Sequence, residues 1–181
     1  MSSLRVQAFS VSIDGFGIPA ERPERAPAKL AAWLEGWQAR PAFKPYADLA
    51  AVADRLQQNN PRLTRDRAEF LAAHWAELQE DGSARLRSDP LHKLPFPTVY
   101  RMDEVMAVWE RATAPMLWIG AQHSFVPGWL AQGDAVGDYG MERRKASWRD
   151  LRYVEIADAG HMVHHDQPEA VADAIEAFLS Q

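Results

Sequence analysis

The sequence predicts an α/β fold in which part of a doubly wound parallel sheet carries an inserted, mostly helical segment. Three short apolar runs have the composition of buried strands, at Val6–Ile13, Pro115–Ile119 and Leu151–Ile156. A long segment with helical periodicity separates the first two runs. The third run is followed by a Gly-His turn and an amphipathic helix. Strands that alternate with helices in this way are typical of a parallel sheet covered by helices.

The first predicted strand ends at a glycine turn. Val6–Ile13 is rich in Val, Ile and Phe, and Asp14–Gly17 supplies the aspartate and the glycines that turns favour. Because a strand of this composition suits a buried position, we expect it to lie inside the sheet.

Three helices are predicted after this turn. Apolar residues recur at intervals of three and four from Ala26 onward, and Pro27 suits a first helical turn. A second helix is predicted near Tyr46–Leu56, and Asn59–Pro61 then breaks the chain. Thr64 is a good N-cap for the third helix. The apolar stripe of the third helix is predicted to contain Phe70, Leu71, His74, Trp75 and Leu78.

The remaining elements are shorter. Asp81–Ser83 is a predicted turn, and Arg85–Arg87 is a predicted short extended piece. A helix is predicted from about Met102 to Ala112, and another around Phe125–Leu130. The chain is thus predicted to divide into residues 1–19, a strand and turn of the core, residues 20–106, a helical cap, and residues 107–181, the rest of the core. A helical segment inserted between two strands is typical of a lid above a sheet.

Tryptophans are frequent in the predicted cap. Trp33, Trp37 and Trp75 either form part of a plain apolar core or line a substrate pocket, and their helical spacing favours the core. Trp118 falls in a predicted strand and is expected to be buried.

The composition excludes several classes of function. The 181 residues carry a net charge of −5, which argues against a nucleic-acid binder because phosphate contacts need a basic patch. Since the chain has no cysteine, disulfides, thiolate nucleophiles and thiolate zinc sites are excluded. The N-terminus lacks a signal-peptide pattern, and no run approaches the roughly 20 apolar residues of a membrane span. We therefore expect a soluble, cytoplasmic protein that binds neither nucleic acid nor membrane.

Several motifs in a fixed order carry a resemblance to a known family. They are Asp14–Pro19, Arg25–Leu30, Gln58–Thr64, Ala114–Trp118, Asp158–Met162 and His165–Pro168. The set resembles the serine-hydrolase-like branch of the α/β-hydrolase superfamily. The resemblance implies that the chain is the C-terminal half of an α/β-hydrolase, with a helical cap and the last strands of the sheet. It also implies a serine nucleophile on an elbow just before this chain begins, and no cofactor.

The resemblance implies that His161 is the general base. His161 follows the last predicted strand and a glycine, which is the family's position for this residue. Its role would be to take the proton of the nucleophile's hydroxyl, which suits an imidazole because imidazoles titrate near neutral pH. The structural alternative is a turn histidine bonded to the local backbone.

The residues leave the identity of the acid open. Many relatives have it three residues after the glycine that follows the penultimate strand, and here that position is His123. Other branches place the acid after the strand that follows the nucleophile, which points to Asp14. We predict that Asp14 is the acid, although aspartates are also common in turns for structural reasons alone. Asp134 and Asp138 are further candidates for the acid.

The sequence contains no Gly-x-Ser-x-Gly nucleophile elbow. Ser10, Ser12 and Ser124 are the available hydroxyls, and none lies on a glycine-flanked strand-to-helix turn. The prediction is therefore a hydrolase that acts on a small ester-like or related carbonyl substrate by a Ser-His-acid mechanism, but that lacks its nucleophile here and is inactive alone. The alternative is a non-catalytic binding module that self-associates through an exposed sheet edge.

Two other interpretations have less support. His161, His164, His165 and Asp166 crowd together, but the glutamate of a zinc-protease helix is absent and no further ligand stands out, so no metal site is predicted. Met1–Gly17 also resembles the opening strand of dihydrofolate-reductase-like proteins, although the rest of the chain does not follow that family. A reductase-like protein with a recombined start is the minor alternative.

Overall fold

A computed structural model of the chain describes residues 8–133 and 137–180. These residues form two compact units. The sheet unit contains the described residues as far as Glu21 and those from Tyr100 onward, and the helical unit contains Arg22–Val99. In the sequence, the helical unit therefore lies between two parts of the sheet unit.

The described residues form five strands and eight α-helices. The strands are β1 (Ser10–Ile13), β2 (Ala76–Leu78), β3 (Ala84–Leu86), β4 (Met116–Ala121) and β5 (Leu151–Ile156). The helices are α1 (Ala26–Ala39), α2 (Leu49–Asn59), α3 (Arg65–Trp75), α4 (Met102–Trp109), α5 (Val126–Leu130), α6 (Met141–Ala146), α7 (Val163–Asp166) and α8 (Pro168–Leu179). Helices α6 and α7 were not predicted. Within the described part of the chain, no helix has the length and apolar character needed to cross a membrane.

A three-stranded parallel sheet forms the centre of the sheet unit. The strand order is β1-β4-β5, so β4 is the middle strand and both ladders are parallel. Every residue of β4 is buried, as expected for a central strand whose two faces are both covered. The predicted α/β fold with a parallel sheet is confirmed, and β5 has the predicted bounds. The expectation that the first strand lies inside the sheet is wrong for the described strands, because β1 pairs with β4 alone.

Aliphatic and aromatic side chains cover one face of the sheet, and stacked aromatic rings cover the other. On one face, Leu117 and Ile119 of β4 belong to the same apolar cluster as Phe178 of α8. On the other face, Trp118 stacks on Phe16 with 4.6 Å between the ring centroids. Alternate residues of β4 therefore point to opposite faces, as strand geometry requires. The burial predicted for Trp118 is confirmed.

A buried arginine connects α6 to the segment that follows β1. Arg144 is 0% exposed. Its Nη1 donates to the carbonyl of Phe16 at 2.7 Å, its Nη2 to that of Ile18 at 2.9 Å, and its Nε to that of Tyr139 at 2.6 Å. Gly17 has φ of 78°, and a Cβ at this position would lie 2.7 Å from Arg144 Nη1. The backbone conformation and the space both require glycine there.

The helical unit is packed around small and aliphatic side chains. Val52 and Leu56 of α2 share a buried cluster with Ala68 and Ala72 of α3. The predicted N-cap of α3 is confirmed, because Thr64 Oγ1 accepts a hydrogen bond from the third residue of that helix at 3.4 Å.

The predicted apolar stripe of the third helix is wrong. Helix α3 ends at Trp75, and Leu78 belongs to β2, which pairs antiparallel with β3. The helix buries Ala68 and Ala72 instead, while Phe70 is 64% exposed. Leu71 of the predicted stripe does pack against the cluster that contains these alanines, whereas Phe70, His74, Trp75 and Leu78 are exposed.

The tryptophans of the helical unit are not plain core residues. Trp37 is 40% exposed and Trp75 is 45% exposed, so the core interpretation is wrong for both. Trp33 stacks on Trp37 with 5.6 Å between the ring centroids.

Candidate active site

The carboxyl ends of the three parallel strands bring together residues from distant parts of the sequence. Asp14 directly follows β1, Ser124 follows β4 and His161 follows β5. Parallel strands end at the same edge of their sheet, which is where α/β proteins place functional side chains. The amide of Asp14 donates to the carbonyl of Ile119 at 2.7 Å, which extends the pairing of β1 with β4 as far as the aspartate.

His161 and Asp14 form a hydrogen-bonded pair at this edge. His161 Nδ1 lies 2.9 Å from Asp14 Oδ2, and the two side chains are 42% and 3% exposed respectively. Because a carboxylate can only accept, Nδ1 of the histidine is the donor. In a neutral ring this leaves Nε2 unprotonated and able to accept a proton from another group.

The carboxylate of Asp14 also receives a second hydrogen bond. Ser124 Oγ donates to Asp14 Oδ2 at 2.5 Å and accepts from the amide of Val126 at 3.0 Å. The backbone of Asp14 has φ of 47°, in the left-handed region that aspartate tolerates better than most residues. The side chain of this turn aspartate therefore reaches across the sheet edge to two distant residues instead of bonding within its own turn.

The turn that carries His161 is fixed from two sides. The amide of Gly160 donates to Asp166 Oδ2 at 2.8 Å, and Asp166 is a buried residue. The amide of His123 donates to the carbonyl of Ala159 at 2.9 Å. The second bond joins the loop after β4 to the turn before His161, and the first fastens the same turn to the residue that ends α7. The sequence offered one signal for Asp166, namely an acidic residue shortly before the closing helix.

Two of the other positions considered for the acid, His123 and Asp138, lie in the described part of the chain and do not take part in the pair. His123 occupies the usual acid position but has an exposed side chain, and its recorded contact is through its backbone amide. Asp138 is exposed. Asp134 lies outside the described residues.

The hydroxyls of Ser12 and Ser124 both make hydrogen bonds within the protein. Ser12 Oγ donates to the carbonyl of Gly15. Ser124 Oγ donates to the carboxylate that receives Nδ1 of His161, so it lies on the side of the ring opposite to Nε2.

His165 is buried, and His164 is the more exposed of these two neighbouring histidines. His165 lies against His164 with 4.3 Å between the ring centroids. Burial lowers the pKa of both His164 and His165 below the ordinary value, which favours their neutral forms. In the part of the chain that the structure describes, no group of three or more His, Asp or Glu side chains is arranged to hold a metal ion.

A small cavity lies beside the pair, on the side of the aspartate. It has a volume of about 190 Å³ and is lined by Asp14, Ser124, Trp118, Lys145 and Tyr153, among others, but not by His161. Burial, followed by the charge of the nearby Glu155, raises the pKa of Tyr153 to about 12. The cavity therefore adjoins the carboxylate and does not present a substrate to the imidazole.

The sequence is similar to one family of known proteins. It matches the model of the alpha/beta hydrolase family over residues 3–174, a range that includes β1 and the loop of His161. No curated protein matches the sequence at a significant level.

Solved structures are similar to most of this chain. A thioesterase domain from the curacin biosynthetic pathway has a TM-score of 0.69 at 20% identity, covering 92% of this chain and 56% of that domain. A hypothetical protein from Pseudomonas aeruginosa PAO1 has a TM-score of 0.72 at 21% identity, covering 94% and 58%. An esterase from M. tuberculosis has a TM-score of 0.61 at 17% identity, covering 90% and 53%. The chain thus spans 53% to 58% of these structures, and at such identities the likeness concerns the fold.

Proposed function

Because the chain belongs to the alpha/beta hydrolase family, we propose that it supplies the general base and the acid of a hydrolase that acts on a small ester-like or related carbonyl substrate. The observation that carries this proposal is the 2.9 Å hydrogen bond between His161 Nδ1 and Asp14 Oδ2 at the carboxyl edge of the sheet. The thioesterase domain and the esterase among the similar structures support a substrate with an acyl group.

In the proposed reaction, His161 acts through Nε2. It takes the proton of a serine hydroxyl while the serine oxygen bonds to the carbonyl carbon of the substrate. It then gives this proton to the leaving group as the bond between the carbonyl carbon and that group breaks. A water molecule then gives a proton to Nε2 as its oxygen bonds to the carbonyl carbon of the acyl-serine. Nε2 returns this proton to the serine oxygen as the bond between that oxygen and the acyl carbon breaks, which releases the acid and restores the serine.

Asp14 acts through the other ring nitrogen in this proposal. Its carboxylate holds Nδ1–H and thereby fixes both the tautomer and the orientation of His161. It also stabilises the positive charge that the imidazole carries after it takes the proton. Ser124 and Asp166 are positioning residues, because the first holds the carboxylate and the second holds the turn before the histidine.

The proposed nucleophile is a serine on a Gly-x-Ser-x-Gly elbow outside these 181 residues, since the sequence contains no such motif. The bonds that Ser12 and Ser124 already make support this assignment. The chain covers only 53% to 58% of the similar structures. This supports the proposal that the nucleophile belongs to the part of the fold that these 181 residues do not include.

Reaction with a fluorophosphonate probe tests the assignment of the nucleophile. The probe bonds covalently to serines that a neighbouring base activates. For the 181-residue chain we expect no labelled serine by peptide mass mapping, and the same result for His161→Ala. A labelled serine in the parent chain that is unlabelled in His161→Ala would contradict the proposal, because the nucleophile would then lie within the chain.

A non-catalytic binding module is the second candidate. Two observations favour it, namely the missing nucleophile motif and the position of β1, which pairs on one side only among the described strands. An unpaired strand edge offers backbone donors and acceptors to a second strand, so self-association through β1 is part of this candidate. Hydrolysis that depends on both His161 and an upstream serine would exclude it.

A further inference from the structure

The helical unit contains a groove of about 610 Å³ that the proposed hydrolysis does not use. Its apolar floor includes Val52 and Leu56 from α2, which are 2% and 7% exposed, together with Leu86 from β3. The side chains of Tyr46 and Trp75 supply aromatic surface to its walls. The groove thus offers aromatic side chains above an apolar floor to a ligand.

One wall of the groove is fixed to the rest of the helical unit. Tyr46 and Ala84 exchange two backbone hydrogen bonds of 2.8 and 2.9 Å, which attach the loop to β3. Lys93 Nζ donates to the carbonyl of Ala42 at 3.0 Å and lies 4.4 Å from the centroid of the Phe43 ring. The groove is therefore shaped by hydrogen bonds at both ends of the loop of residues 42–46.

The charge of the groove is positive in an acidic protein. Lys44, Arg55 and Lys93 line it, and no Asp or Glu does, although the whole chain carries a net charge of −5. Asp54 stands beside Arg55 in the sequence, but its carboxylate pairs with Arg65. Among the residues that the structure describes, neither Lys44 nor Arg55 has an ion-pair partner.

We propose that this groove binds an organic anion with a flat apolar body. The carboxylate or phosphate group of the ligand pairs with Arg55 and Lys44, while its body lies on the apolar floor between Tyr46 and Trp75. Arginine suits this role because its planar guanidinium binds either oxyanion through two donors. The proposal does not depend on the catalytic role of His161, since it rests on residues of the helical unit alone.

Calorimetric titration of the whole chain with naphthalene derivatives tests the proposal. The probes are 2-naphthoate, 2-naphthyl phosphate and the neutral 2-naphthamide, which share the apolar body and differ in charge. We expect the better of the two anions to bind about tenfold more tightly than the amide, and its affinity to fall as salt is added. Tighter binding of 2-naphthoate would identify a carboxylate ligand, and tighter binding of the phosphate a phosphate ligand.

Charge-neutralising variants locate the binding site. Arg55→Gln and Lys44→Gln are each expected to lower the affinity for the better anion about threefold, and the double variant is expected to bind it no better than the amide. Arg111→Gln is the matched control, because it removes the same charge from an exposed residue of the sheet unit and leaves the affinity unchanged. The Trp75 indole proton resonance should shift during the titration.

Three results would overturn the proposal. They are equal affinities of the two anions and the amide, unchanged affinity in the double variant of Arg55 and Lys44, and no saturable binding of either anion at millimolar concentration.

Discussion

Replacement of Asp14 by Asn is expected to lower kcat for ester hydrolysis by about 10⁴-fold when the chain is combined with its serine nucleophile. The carboxylate accepts Nδ1–H of His161 at 2.9 Å, and this bond keeps Nε2 free to take the serine proton. An amide at the same place can donate to Nδ1 instead, which moves the ring proton to Nε2 and blocks that step. It also removes the charge that stabilises the imidazolium.

The assay requires a polypeptide in which these residues are joined to a Gly-x-Ser-x-Gly elbow that supplies the proposed nucleophile. Hydrolysis of a p-nitrophenyl ester is compared in the parent, Asp14→Asn, His161→Ala and Asp138→Asn. Asp138 is the matched control, because it is an exposed aspartate that the sequence alone left open as the acid. Equal losses in Asp14→Asn and Asp138→Asn, or a loss below tenfold in Asp14→Asn, would contradict the assignment of the acid.

Replacement of Arg144 by Met is expected to lower the free energy of unfolding by about 3–5 kcal/mol. Methionine fills much of the same space but cannot donate, so the carbonyls of Phe16, Ile18 and Tyr139 lose the donor that each now has. Buried carbonyls without a partner are costly because they have also lost their hydrogen bonds to water.

Urea unfolding followed by circular dichroism measures this effect. Arg143→Met is the control, because Arg143 is the neighbouring arginine and is exposed, so its replacement should change the free energy of unfolding by less than about 0.5 kcal/mol. Arg144→Lys should restore only part of the loss, since a single ammonium group cannot reach three carbonyls in the geometry of the guanidinium fork. Equal stabilities of the Arg144→Met and Arg143→Met variants would show that the buried arginine does not hold the segment after β1.

The residue types within a short stretch of sequence were enough to predict several secondary-structure elements. The bounds of β5 follow from a short apolar run after a polar stretch, and the N-cap at Thr64 follows from its side chain. The choice of His161 and Asp14 as candidates came from the resemblance to the α/β-hydrolases, which places the base and the acid after particular strands. Side chains at the carboxyl ends of neighbouring parallel strands lie close together, which is why the two residues can meet. The catalytic roles of both residues remain predictions.

Other features depend on contacts that no local pattern contains. Ser124 bonds to a residue 110 positions away in the sequence, and its role on the carboxylate of Asp14 required the loop after β4 to be known. Arg144 lies within a short basic cluster of the kind that is usually exposed to solvent. It can be buried because three backbone carbonyls accept its hydrogen bonds, and two of them, those of Phe16 and Ile18, are far away in the sequence. The sequence pattern around Leu78 is compatible with either a helix or a strand. Leu78 lies in a strand because it pairs with Ala84 of β3, a contact that the local sequence does not show.

The protonation of the His161 ring tests the central claim most directly, because the proposed reaction requires Nε2 to be free and Nδ1 to be held by Asp14. Long-range ¹H–¹⁵N correlation spectra distinguish the two neutral tautomers, and they are recorded in alkaline solution, where imidazoles are neutral. The account predicts a protonated Nδ1 and an unprotonated Nε2 in the parent chain, with the pattern reversed in Asp14→Asn. A protonated Nε2 in the parent chain, or the same pattern in both proteins, would contradict it.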